Sequence, residues 1–302
     1  MRIAIAQVDG KWPNLALAKY ARWGADNGHE VFRYDPAVHR RGDLVIASKI
    51  FTDTPDDPSL PPGAYSGGSG YSLRTSLAPE VEALRPDWSL WPEWDRDMGF
   101  TTRGCVRRCP FCIVPQKEGG IRIVAEFGDI WTGRPEVTLL DNNLTAAPIE
   151  HFRGVFADAR KARVKLVFGA GALDARLWSN EHQAIVKEFS PVLRRFHFAF
   201  DAMRDERAVR RLVSMWTAAG MHPDRLVFFV LVGYDTTPEE DAYRVNLLIS
   251  LRVNPFVMPF DRTDHYQARL ARWCNSVVAR KQCSFEEFSE QARRKIRAEA
   301  MS

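Results

Sequence analysis

The sequence lacks any apolar run of the ~20 residues needed to cross a bilayer, and its opening MRIAIAQVDG lacks the long hydrophobic stretch of a signal peptide. A membrane-spanning or secreted protein is not expected, and a cytoplasmic one is. Cysteine is scarce. There are five, an odd number, and Cys105, Cys109 and Cys112 lie too close together for a disulfide framework. Charge of one sign is not in excess either: 42 Lys and Arg stand against 38 Asp and Glu, for a formal net charge of +4. That balance permits a polyanionic partner without requiring one. Hydrophobic residues at 45% and charged residues at 26% exclude a disordered chain. Finally, no fourth cysteine and no histidine stands near Cys105, Cys109 and Cys112.

What is present begins with a self-contained first unit, expected over residues 1–96. RIAIAQV (2–8) reads as a short buried strand, and LALAKYARWGADNG after Pro13-Asn14 has helical apolar spacing. EVFRYD (30–35) and DLVIASKIF (43–51) read as two further strands. This order suggests a small doubly wound α/β domain. The Pro/Gly/Ser segment 55–72 is either a linker or a loop shaped around a ligand. Trp88, Trp91 and Trp94, at spacing three, form either a packed seam between domains or a base-stacking platform.

Residues 97–275 are more regular. Apolar runs recur at 98–104, 137–143, 165–171, 195–201, 225–235 and 255–261, each followed by a stretch with amphipathic helical spacing. A repeat of roughly thirty residues is one βα unit. Six units make a partial (β/α)6 TIM-like barrel, whose polar strand ends gather at the carboxyl side. Residues 276–302 read as a helical tail. Its Arg293, Arg294, Lys295 and Arg297 form either a solvated face or a phosphate patch.

The cysteines follow the first of these strands in the stretch RGCVRRCPFCIVPQKEG (103–119). Thiolates suit zinc or iron–sulfur clusters. A structural zinc would need a fourth ligand, and His151, Cys274 and Cys283 are all remote in sequence. An electron-transfer cluster takes four cysteines and is also one short. Three cysteines spaced C-x3-C-x2-C leave one iron of a 4Fe–4S cube open to a small chelating molecule.

The string CVRRCPFC, with Phe111 before the last cysteine, resembles the signature loop of the radical S-adenosylmethionine enzymes. The resemblance covers positions about 98 to 275. It implies a [4Fe-4S] cluster on Cys105, Cys109 and Cys112, with the amine and carboxylate of S-adenosylmethionine on the open iron. Reductive cleavage then yields a 5′-deoxyadenosyl radical that abstracts hydrogen from a substrate. LLDNN stands where the family has a Gly-Gly-Glu-like turn, so Asp141, Asn142 and Asn143 are the expected amine contacts. GAGALDAR (169–176) resembles the turn of cobalamin-type members. Gly171 would allow close backbone approach there, and Asp174 with Arg176 would meet the ribose or the carboxylate. The plainer alternative is an Asp174 helix cap with an Arg176 ion pair. Asp201 faces the ribose or caps a helix. Val232 would offer the adenine an apolar wall, and Gly233 would let the backbone pass it.

The first unit resembles the cobalamin-binding domain joined to many such barrels, but the motif D-x-H-x-x-G is absent. The nearest string, DPAVHRRG (35–42), has the wrong spacing, so no cobalamin is expected. No cysteine precedes Cys105, which disfavours the two-cluster methylthiotransferases of tRNA. Cys274 and Cys283 are expected to be inert thiols, or one of them a hydrogen donor to a product radical. An external electron donor of flavodoxin or ferredoxin type is implied. The compact barrel with a degenerate first domain resembles radical proteins of phages, acting in a phage-infected bacterial cell. Some of these isomerise glycine-modified thymidine during DNA hypermodification, moving the attachment from nitrogen to the α-carbon. DNA carrying that base is thus the most specific expected substrate. The alternatives are a radical methylase or epimerase on a peptide or small metabolite, and a non-enzymatic zinc-binding nucleic-acid module. The residue acting on the substrate is not readable from the sequence.

Overall fold

The computed structural model describes residues 1–169, 173–189, 192 and 195–300. The chain is α/β, with parallel sheets flanked by helices. Its contacts divide it into two compact units, Met1–Asn142 with Asp158–Leu166, and Asn143–Ala157 with Val167–Ser302. This division falls inside the stretch 97–275 rather than at residue 96.

The first unit opens with β1 (Arg2–Gln7), α1 (Leu15–Asp26), β2 (Glu30–Arg33), β3 (Leu44–Ser48) and β4 (Tyr65–Gly67). The four strands form one parallel sheet in the order β2-β1-β3-β4. α1 starts at Asn14, whose side chain accepts from Leu17 N–H and donates to Ser48 Oγ at 2.9 Å, fixing the helix to the end of β3. Segment 55–72 is no free linker, because it carries β4 and Gly70 N–H donates to the Lys49 carbonyl at 2.9 Å. Trp88 and Trp91 are core, packed with Ile3, Ile5, Leu17, Ile46 and Met98. Burial excludes them as a base-stacking platform, since a base needs an exposed ring face.

The same unit continues through α2 (Pro79–Glu82), β5 (Asp97–Gly99), β6 (Thr102–Arg103), α3 (Val114–Lys117), β7 (Arg122–Ile123), α4 (Phe127–Ile130) and β8 (Glu136–Leu139). The expected first barrel strand is therefore split in two. β5 pairs in parallel with β8, while β6 turns away and pairs antiparallel with β7. α5 (Ile149–Lys161) and β9 (Lys165–Phe168) straddle the division between units, and β9 follows β8 in sheet order.

The second unit alternates α6 (Asn180–Glu188), β10 (Phe196–Ala199), α7 (Glu206–Ala218), β11 (Leu226–Val232), α8 (Pro238–Ser250), β12 (Asn254–Pro259) and α9 (His265–Cys274). α10 (Val277–Gln282) and α11 (Phe285–Ala300) complete it. β10, β11 and β12 form a parallel sheet. Strand parity gives this sheet two unlike faces. Phe196, Phe198, Phe228, Val230, Val232 and Val257 are buried on the helix-covered face, with Trp216 of α7 at 4.8 Å from the Phe196 ring and α8 packed against β11 and β12. Ala199, Phe229 and Phe256 lie side by side on the other face, as do Leu231 and Met258. There Phe256 and Met258 remain 44% exposed. Among the described residues, no helix is long and apolar enough to cross a membrane.

Candidate functional site: a three-thiol cavity and a polar set of strand ends

β6 delivers the chain to Gly104, which has φ +84°, and a Cβ there would stand 2.1 Å from the Gly120 carbonyl oxygen. Only glycine fits. Cys105 N–H donates to the Gly119 carbonyl at 3.2 Å, so the two ends of the loop 104–120 meet. Arg103 reinforces that base through Glu82 and Glu118, each at 3.0 Å. Within the loop, Arg107 N–H donates to Cys105 Sγ at 3.3 Å, and Cys112 N–H donates to the Cys109 carbonyl at 3.0 Å. These bonds curl the backbone around its own thiols.

Cys105, Cys109 and Cys112 are unbridged, half-buried thiols lining one cavity of about 730 Å³, together with Val106, Arg108, Pro115, Gln116, Gly119 and Gly120. That volume lies within the roughly 300–1,000 Å³ of small-molecule and cofactor sites. No carboxylate or imidazole lines it. Among the described residues, no three His, Cys, Asp or Glu side chains are gathered to hold a single metal ion. A cubane, by contrast, presents its irons at separate corners and needs only soft thiolates set apart from one another. The donor set therefore fits a cluster better than a lone zinc. Phe111, beside Cys112, is half-buried.

The end of β8 works on this loop. Asp141 is almost fully enclosed. Its Oδ1 accepts from Thr101 Oγ1 at 2.6 Å, Thr102 N–H at 2.5 Å and Thr102 Oγ1 at 2.7 Å, and its Oδ2 accepts from Thr101 N–H at 3.3 Å. Burial pushes the Asp141 carboxyl above its ordinary value, while these four bonds pull the other way. Asn142 Oδ1 accepts from Gly104 N–H at 2.9 Å. Both side chains thus bond to the segment that carries the cysteine loop. The signal was present as TTRG opposite LLDNN, since a Thr-Thr pair supplies the donors a buried carboxylate requires. Asn143 is buried at the head of a short 3-10 turn, Leu144–Ala146.

In the second unit the polar residues cluster at the carboxyl ends of the strands. Asp174 Oδ1 accepts from the backbone N–H of Arg176 at 2.9 Å and from its Nε at 2.7 Å, and Arg176 reaches Asp205 at 3.4 Å. The ion pair of the plainer alternative is present, but Asp174 heads a turn at 175–177 rather than a helix. Gly171 lies outside the described residues. Asp201 Oδ1 accepts from Leu231 N–H at 3.0 Å. Burial raises its carboxyl, opposed by that N–H and by the Arg244 charge. Arg244 is wholly buried and donates to the Phe200 carbonyl at 2.7 Å, the Leu231 carbonyl at 2.9 Å and Asp241 Oδ1 at 2.5 Å. Asp241 in turn accepts from Gly233 N–H at 3.1 Å and Thr236 Oγ1 at 2.7 Å.

Val232 corrects one expectation. It is 0% exposed, because its parity matches Phe228 and Val230 and turns it to the helix-covered face. It offers no wall to a ligand, and Leu231 is the neighbour that faces the open side. Gln267, which the sequence reading missed, stands beside Gly233. No pattern in HYQARLARWC singles it out.

No protein-family model matches this chain, and no curated protein matches it in sequence.

Proposed function

We propose that the chain is a radical S-adenosylmethionine enzyme. The observation that carries this reading is the set of three half-buried thiols around one cavity with no other ligand side chain on its lining. Cys105, Cys109 and Cys112 would hold a [4Fe-4S] cluster, leaving one iron for the cofactor. When bound, the pair supplies one-electron cleavage to a 5′-deoxyadenosyl radical. Asp141, Asn142 and Gly104 hold the loop in its closed form. Arg108, exposed on the lining, places a cation there, which favours electron uptake. An external flavodoxin or ferredoxin supplies the electron. The reading assigns the nucleoside to Asp201, Asp174 and Arg176, and makes the βα repeat a partial (β/α)6 barrel. No step needs cobalamin.

The substrate proposed is glycine-modified thymidine in phage DNA, isomerised from the nitrogen-linked to the α-carbon-linked form. One abstraction at a stabilised glycyl carbon suffices, with no second cluster. The face bearing Phe229, Phe256 and Met258, with the His197 ring at 5.3 Å from Phe229, offers aromatic and apolar surface on which a nucleobase can stack.

Anaerobic reconstitution with iron, sulfide, reductant and S-adenosylmethionine tests the core of the reading. The expected result is a brown, iron-rich protein that forms 5′-deoxyadenosine. A colourless protein containing zinc would overturn it. Mass spectrometry of nucleosides from incubated modified DNA tests the substrate. Unchanged modified thymidine alongside 5′-deoxyadenosine would overturn that part alone.

A further inference from the structure

The half-open face of the β10–β12 sheet carries a row of rings. His197, Phe229 and Phe256 come from three neighbouring strands, with centroids 5.3 Å apart between the first two and 5.8 Å between the last two. Phe168 closes the row behind His197 at 6.4 Å. Exposure is graded along it. Phe168 is 3% exposed and Phe256 44%, and His197 and Phe229 between them are half-buried. The rest of this face is apolar, with Ala199, Val227, Leu231 and Met258 around the rings.

The imidazole is the polar member of the row, and its two nitrogens are unlike. Nδ1 is enclosed and, among the described residues, has no hydrogen-bond partner. Nε2 bonds to none of the described residues either, but it is not enclosed, so it is open to a partner from outside. Burial and the Arg195 charge both lower the pKa of the ring, so it is neutral at ordinary pH and carries one proton. An enclosed N–H without an acceptor is rarer and costlier than an enclosed lone pair without a donor. The proton is therefore assigned to Nε2.

His197 is thus an uncharged donor at the inner end of a stacking surface. Asn254, level with it two strands away, spends its amide on the Asp224 and Leu226 carbonyls at 2.6 and 3.4 Å and does not compete. A neutral donor beside aromatic faces suits a flat ring that carries a carbonyl oxygen in its own plane. A pyrimidine such as thymine has such oxygens, whereas adenine has only ring nitrogens as acceptors.

We infer that His197 donates through Nε2 to a carbonyl oxygen of a pyrimidine base stacked on Phe229 and Phe256, and so selects a carbonyl-bearing base. The inference rests on the proposed thymidine substrate and adds to it a residue that sets specificity.

The test is binding, not turnover. Thymidine and its 2-thio and 4-thio analogues are titrated into the full chain and into His197→Phe, with affinity read from the ligand resonances by NMR. Phenylalanine keeps a ring in the row and removes the donor. Thymidine affinity is expected to fall roughly five- to tenfold in the variant, with the melting temperature not lowered. Sulfur is the weaker acceptor, so one thio analogue is expected to bind the wild type more weakly than thymidine does. That analogue should lose nothing further in the variant, the non-additivity of a direct contact. The imidazole resonances of His197, identified by their absence from the variant, are expected to shift when thymidine is added. Equal thymidine affinity in wild type and variant, an equal loss in the variant for all three nucleosides, or imidazole resonances unmoved by bound thymidine would overturn the inference alone. Should the variant not fold, three nucleosides bound equally by the wild type would overturn it. Failure of the wild type to bind any of the three would overturn the proposed substrate and the inference with it, while 5′-deoxyadenosine formation still judges the radical chemistry.

Discussion

Gly104 carries the cysteine loop at a point where the backbone turns left-handed against another carbonyl. A methyl group there meets Gly120 at 2.1 Å, so Gly104→Ala is expected to strain the loop base by about 1–3 kcal/mol. Iron bound per chain after reconstitution should fall severalfold, while the circular dichroism of the remainder is retained. Cys274 is the contrasting thiol. Burial pushes it up to about 12, so it stays protonated and unreactive. Cys274→Ser is expected to leave iron content unchanged, whereas Ala at Cys105, Cys109 or Cys112 removes it. Asp201 sets a pH dependence. Its carboxyl is raised by burial, against Leu231 N–H and Arg244, so the folded state keeps this proton to higher pH than the unfolded chain does. Stability from the group is complete below the unfolded value and is lost as pH rises through the folded one. Asp201→Asn, which retains an oxygen for Leu231 N–H, should therefore gain on the wild type in urea unfolding as the pH rises above about 4, the ordinary carboxyl value. At this scale the three thiols were legible, because ligand spacing along a short loop is written directly in the chain. Asp141 was singled out for another task, because its bonds to Thr101 and Thr102 join positions forty and thirty-nine apart, and the Thr-Thr pair that signals them was not matched to it. Val232 was placed at the right strand end and given the wrong face. Gln267 has no local signature, since only the fold sets it against Gly233 and Asp261.

The sheet of the second unit shows what an element adds to its residues. Parallel sheets are ordinarily covered on both faces, and this one is covered fully on one. The difference predicts unlike costs for similar truncations. Phe228→Ala, on the helix-covered face, should lose about 3–5 kcal/mol in urea unfolding. Phe256→Ser, on the half-open face, should stay within about 1 kcal/mol of the wild type. Equal losses would mean that the two faces are equally packed. Strands β1 to β3 and β8 to β12 and the helices α5, α7 and α8 were legible from apolar periodicity, because burial on one side imposes period two on a strand and 3.6 on a helix, whereas β4 and β7 were not. The break between β5 and β6 was not. Met98 to Gly104 reads as one apolar run, but Thr101 and Thr102 bond to Asp141 and β6 pairs with β7 instead of β8.

At the scale of the chain, the α/β class and the succession of strand and helix were visible in the sequence. The boundary after Asn142 was not. Composition does not change there, and no run of proline or glycine marks it. The contacts that define each unit are between distant positions, which a linear pattern does not record. Cluster loading offers a measurement on the whole molecule. A group held by the native loop and not by the unfolded chain shifts the folding equilibrium toward the native state. Reconstituted protein is expected to melt several degrees above the iron-free form in a thermal scan, and chelation should remove the gain. The Cys109→Ala variant should show no gain at all.

The meeting of Gly104 with Gly120 has an evolutionary corollary. A segment whose ends are clamped together can gain or lose residues at its far side for little additional entropy, because the closure term grows only with the logarithm of length. Insertions after Cys112 would lengthen the excursion without shifting the two strands that support it. Descendants of this chain could therefore diversify the rim of the cavity while the thiols keep their stations.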